Sequence, residues 1–148
     1  MSAPNPASAR PAHHRLRVAV RYNETDQMGV VHHSQYVNYF ELGRTEMMGA
    51  HGFDYAEMER TGVLLAVVDV GLRYLKPARF GDELLIETRI ASVERVRVRF
   101  DYAIRRAGQD ELLCTGHTLL ACVDRALVPK RLPEVIRAKM AVLADATG

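Results

Sequence analysis

With 148 residues, a formal net charge of +2 and 48% hydrophobic residues, the chain has material for one core-forming domain, and a second domain is not expected. The charge is too small and the arginines too dispersed for general nucleic-acid binding, and no apolar run approaches the roughly 18 to 20 residues that a bilayer span requires. Cys114 and Cys122 form neither a disulfide framework nor a zinc-type spacing, so a reducing cytoplasm is the expected setting.

Residues 1–14, rich in Pro, Ala and Ser without an apolar stretch, read as a disordered tail rather than a signal peptide, with His13 and His14 chemically idle within it. Residues 15–148 read as the single domain. Leu16, Val18, Val20 and Tyr22 alternate with Arg15, Arg17, Ala19 and Arg21, the period of a strand with one buried face. After a turn-like segment, Tyr36, Tyr39, Phe40, Gly43 and Met47 recur at the spacing of one helix face, predicting a helix from Tyr36 to about Ala50. Ser34 is placed to cap its start, and Gly49 and Gly52 to end it. Glu41 and Arg44, one turn apart, are expected to pair at the surface or at an interface. A short helix is predicted over Tyr55 to Arg60.

Val63 to Leu75 is apolar and valine-rich, which predicts a long, bent, central strand stopping before Pro77. Gly81-Asp82 marks a turn. Leu84, Ile86, Thr88 and Ile90, then Val96, Val98, Phe100, Tyr102 and Ile104, alternate with polar or charged neighbours and define two further strands. Glu111 to Asp124 supplies the fifth, with His117 a sheet residue holding a satisfied hydrogen bond, and a final helix follows Pro133. Strand, helix, then four strands on short turns is most simply an α+β domain, an antiparallel sheet curled around the helix from Tyr36.

Asp26 lies between the first strand and the long helix, where a loop can hold a reactive group against a rigid scaffold. An isolated loop aspartate most often caps a turn or stays solvated. Its neighbours change that: Gly29 permits a tight backbone approach, Val30-Val31 offers an apolar wall, and the helix start near His33 to Tyr36 presents unpaired N–H groups. A carboxylate beside such donors suits thioester cleavage, because attack on the carbonyl builds negative charge on its oxygen. The carboxylate can act as nucleophile or as base. Tyr36, Tyr39, Phe40 and Met47 read as core, with part of that face lining a pocket. A metal at His32-His33 is not expected, since adjacent side chains on an extended segment point apart and no carboxylate–histidine set accompanies them.

The run Val20-Arg21-Tyr22-Asn23-Glu24-Thr25-Asp26-Gln27-Met28-Gly29-Val30-Val31-His32-His33-Ser34-Gln35-Tyr36, followed by Phe40-Glu41 and Arg44-Thr45-Glu46, resembles the hotdog-fold acyl-CoA thioesterases of the 4-hydroxybenzoyl-CoA thioesterase type, including Tol-Pal-associated members. A second segment, Tyr74-Leu75-Lys76-Pro77-Ala78-Arg79-Phe80-Gly81-Asp82, is similar to that family's strand-ending Pro-Ala and Gly-Asp turn. The resemblance spans about residues 15–133. It implies a hotdog fold of five antiparallel strands around a long helix, hydrolysis of an acyl-CoA to free acid and CoA without a cofactor, Asp26 as the catalytic carboxylate, and the His33 backbone N–H polarising the carbonyl. Gly29, Val30, Val31 and Tyr36 are then expected at the substrate. It also implies a homodimer joined edge to edge between sheets, often a tetramer, with sites at the interface. His32 stands where Tyr or Phe is common, and Gln35 where Asn is frequent.

Coenzyme A carries phosphates, so cations are expected at the pocket mouth. Arg95 and Arg97 on the polar face of one strand are the preferred pair, ahead of Lys130 and Arg131. Two other readings stay open: a non-catalytic hotdog module binding acyl-CoA or acyl-carrier protein, and a hotdog dehydratase, for which the expected His-containing motif is absent.

Overall fold

The alternating segments pair as predicted into one antiparallel sheet. In the computed structural model, which describes residues 12–145, its strands are β1 (His14–Ala19), β2 (Leu64–Tyr74), β3 (Glu83–Val93), β4 (Arg97–Arg106) and β5 (Glu111–Val123), in the order β1-β3-β4-β5-β2. The helices are α1 (Gln35–Ala50), α2 (Tyr55–Arg60) and α3 (Glu134–Asp145). Ile86 lies opposite Ile104, Thr88 opposite Tyr102, and Ile90 opposite Phe100. All six are fully buried, because cross-strand partners share a face and this face meets α1.

The sheet curls around α1, giving the expected hotdog arrangement. Phe40 stacks on Tyr102 with centroids 4.3 Å apart. At Gly43 the helix comes so close to β3 that a Cβ would lie 2.5 Å from Thr88 Oγ1 and 2.7 Å from Ile86 Cγ2. The helix ends in a Schellman motif: Phe53 N–H donates to the Met48 carbonyl and Gly52 N–H to that of Gly49, with Gly52 at φ +83°, a conformation that favours glycine.

Four expectations change. Arg44 does not pair with Glu41; it is 8% exposed and donates to the Tyr102 hydroxyl at 3.2 Å, which in turn bonds Thr118 Oγ1 at 2.7 Å. Positions 36, 40 and 44 are successive i+4 steps on the sheet-facing side, so Arg44 follows Phe40 inward. Ser34 makes no side-chain cap; instead its N–H donates to His32 Nδ1 at 3.2 Å. β2 is bent, with a register shift between Val67 and Asp69, but it is an edge strand rather than a central one. Among the described residues only β5 pairs with it, and Val67, Val68 and Val70 are left 46, 54 and 38% exposed.

The fourth concerns the start of the sheet. His14 belongs to β1, the His13 N–H donates to the Thr88 carbonyl, and His13 Nδ1 accepts from Ile90 N–H at 3.0 Å. β3 runs on past the predicted start of β1, and its backbone groups there find their partners in His13 and His14. The remainder of the expected tail, residues 1–11, lies outside the described residues. His117 behaves as predicted, its Nε2 2.8 Å from Asp69 Oδ2, with the ring over Gly71, where a Cβ would come within 2.3 Å of it.

Candidate active site

Asp26 opens a tight turn. Gly29 N–H donates to the Asp26 carbonyl and Asp26 N–H to that of Val30, Thr25 bridges Val31, and Gly29 sits at φ +79°. This is the three-residue hairpin loop with a left-handed last residue, which explains the glycine. The turn is tied to the segment before β3: Val31 N–H donates to the Ala78 carbonyl at 2.7 Å, and Val30 bridges Arg79. That segment is held by Arg106, whose guanidinium pairs with Asp82 and Glu111 and donates to the Pro77 carbonyl at 3.0 Å.

The carboxylate of Asp26 is half engaged. Oδ1 accepts from Met28 N–H at 2.8 Å and Val30 N–H at 3.4 Å; Oδ2 takes no hydrogen bond among the described residues. Across the cleft, the His33 N–H donates to no acceptor among the described residues, although the amides around it are used: His32 N–H goes to the Glu24 carbonyl and Gln35 N–H to the His32 carbonyl. A half-free carboxylate and a free amide are the two parts that acyl transfer requires, one to attack or to take a proton, the other to hold an oxyanion.

Asp26, Val30, Val31, His33 and Tyr36 line one open cleft of about 400 Å³, together with Met28, Tyr74, Leu75, Lys76 and Pro77, within the range of small-molecule sites. Tyr36 is 3% exposed, and burial pushes its hydroxyl above the usual tyrosine range. Gly29 is in the turn behind the carboxylate rather than in the wall. The imidazoles of His32 and His33, expected to point apart, lie with centroids 4.1 Å apart, because the chain bends into α1 immediately after them.

Arg95 and Arg97 are not brought to Asp26. Arg97 opens β4 and Arg95 lies in the turn before it, lining a separate hollow with Glu94, Arg131, Glu134 and Arg137. Both sit at the opposite end of the sheet from Asp26, since the Asp26 turn adjoins the start of β3 and they follow its end.

Tyr74 is the residue that pattern reading missed. It is the last residue of β2, its ring packs edge-on against Tyr36 at 5.2 Å, and its hydroxyl donates to the His33 carbonyl at 2.9 Å, so it holds the His33–Ser34 peptide from the far wall, one peptide on from the free N–H. Its only signal in the sequence is its place at the head of the Tyr74–Asp82 motif. Lys76 also reaches the cleft, but its ammonium pairs with Glu111 at 3.1 Å.

Residues 20–140 match the thioesterase-like superfamily. The chain is 38% identical over 112 residues to the candidate acyl-CoA thioesterase YneP of Bacillus subtilis, covering 75% of this chain and 80% of that one. It is 36% identical over 126 residues to the acyl-CoA thioester hydrolase YbgC of Escherichia coli, covering 84% and 93%. Among solved structures, a hypothetical protein of Thermus thermophilus, TT1821, superposes with a TM-score of 0.81 at 40% identity, covering 87% of this chain and 98% of that one.

Proposed function

This chain belongs to the thioesterase-like superfamily and is a thioester hydrolase, and on that premise we propose that it cleaves acyl-CoA to a free acid and CoA with Asp26 as the reacting carboxylate. The observation that carries this reading is the pairing, in one cleft, of the unengaged Asp26 Oδ2 with the unengaged His33 N–H. The thioester carbonyl oxygen takes the His33 N–H, which stabilises the charge that develops on it. Asp26 either attacks the carbonyl carbon, expelling CoA thiolate and leaving a mixed anhydride for water to open, or takes a proton from the water that attacks.

The cleft is open along β2, whose last residue Tyr74 and the following Leu75 are 49 and 45% exposed, and whose edge carries exposed valines. A second copy pairing antiparallel on β2 covers this edge and walls the cleft. Such a two-fold reverses the partner's sheet, so the partner's Arg95 and Arg97, two strands in and roughly 10 Å from the shared edge at the usual strand spacing, come to the Asp26 end. There they meet the CoA phosphates.

The test is Asp26→Asn, with CoA release followed by a thiol reagent over short-chain, long-chain and aromatic acyl-CoAs. Both cysteines are buried and burial pushes the Cys114 thiol up to about 12, so the native protein adds little background. The folded variant should lose about 10²- to 10⁴-fold in kcat; turnover near wild type would remove Asp26 from the mechanism. Binding without turnover by the wild-type protein, on acyl-CoA and acyl-carrier protein alike, would favour a binding module instead.

A further inference from the structure

Two residues before Asp26, Glu24 places a carboxylate where an apolar side chain would pack at lower desolvation cost. It is 6% exposed. Its Oε1 accepts from the Tyr39 hydroxyl of α1 at 3.0 Å and from the Arg21 N–H at 2.8 Å, while Oε2 faces the Arg21 guanidinium at 3.2 Å. The same residue's carbonyl accepts the His32 N–H at 2.8 Å. Glu24 therefore joins three things: the arm of the loop that leads into Asp26, the arm that carries the His33 amide, and the buried face of the central helix. The Arg21 guanidinium is mostly in water, so of this carboxylate's contacts the one with Tyr39 is the one that reaches the buried helix.

We infer that Glu24 is a positioning residue: by its hydrogen bond to Tyr39 and its carbonyl bond to His32 it sets the distance between the Asp26 carboxylate and the His33 N–H. The inference rests on the thioesterase reading for its catalytic consequence and on the hydrogen bonds of Glu24 alone for its structural one. The carboxylate touches no reacting atom. Its effect is on how well two preformed groups are held, and misplacement by about 1 Å can cost on the order of 10²-fold in rate.

The test compares Glu24→Ala, Glu24→Gln and Tyr39→Phe in the full chain by two readouts. Steady-state kinetics should show kcat down by roughly 10- to 100-fold in Glu24→Ala with KM changed little, since the loss falls on the transition state. Glu24→Gln, whose amide oxygen still accepts from Tyr39 and from Arg21 N–H, should recover most of the rate, and adding Tyr39→Phe to Glu24→Ala should lower it no further. Amide exchange read by NMR should be faster by about tenfold or more at His32 and Asp26 in Glu24→Ala and Tyr39→Phe, with β4 and β5 unchanged. If Glu24→Ala does not fold, Tyr39→Phe carries both readouts. Unchanged exchange at His32 and Asp26 overturns the inference, as does a kcat unaffected by Tyr39→Phe or a Glu24→Gln no better than Glu24→Ala. A wild-type protein that turns over no thioester overturns the proposed function instead, and the exchange data still decide the role of Glu24.

Discussion

At Asp26 the turn uses one carboxylate oxygen and spares the other, so the side chain is oriented before any substrate arrives. The same division holds at His33, whose carbonyl is taken by Tyr74 while its N–H stays free. Tyr74→Phe removes a hydrogen bond of about 0.5–1.5 kcal/mol, and kcat/KM should fall roughly 2- to 10-fold; an unchanged value would show that the backbone turn alone orients the amide. His13 adds a dependence on acid. Burial, Arg89 and His51 lower the His13 pKa from 6.5 to about 4, while Nδ1 accepts from Ile90 N–H. Between those values the unfolded chain binds a proton that the folded chain refuses. The contribution is whole above pH 6.5 and is lost as pH falls toward 4. Thermal midpoints should drop over that window, and His13→Gln, which removes the titration, should flatten the slope.

Among the elements, α1 carries the strongest local logic. Its periodic apolar face was legible from Tyr36 to Met47, and all of those positions are buried. Arg44 shares that face by spacing, yet residue type alone assigns an arginine to water; the waiting acceptor, Tyr102, lies 58 residues away and only the folded sheet brings it near. Gly43 shows tertiary contact overruling local preference. In a free helix Gly→Ala gains about 1 kcal/mol, but here the new methyl meets the β-branched Thr88 and Ile86 close to their backbones. Gly43→Ala should therefore destabilise by about 1–3 kcal/mol, visible as a lower urea midpoint. An unchanged or raised midpoint would mean that α1 can back away from β3.

At the scale of the whole molecule, the unsatisfied feature is β2. Val67 and Val70 sit opposite Leu120 and Thr118, both buried on the helix side, so an apolar face runs to an edge that no other described strand covers. Exposed edges of this kind invite another strand. Light scattering should give at least twice the 16.6 kDa chain mass, and Val70→Lys, which puts a charge on the face to be covered, should return the mass to that of one chain and abolish most turnover. A wild-type monomer at working concentration would contradict the shared cleft.

Five strands, the long helix and its sheet-facing stripe, the turns at Gly29 and Gly81, and the place of Asp26 in the loop between the first strand and that helix were all legible in the linear chain, because they rest on side-chain period and backbone freedom. These are properties of neighbouring residues, and neighbours are what a linear reading sees. The folded arrangement was needed to establish that β2 is an edge, that Arg44 is buried, that Tyr74 clamps His33, that Glu24 reaches Tyr39, and that Arg95 and Arg97 lie away from Asp26 within one chain. Each depends on which distant residue completes a hydrogen bond or covers a face, and that is settled by strand order and helix packing, which the alternation of side chains along a single strand does not encode.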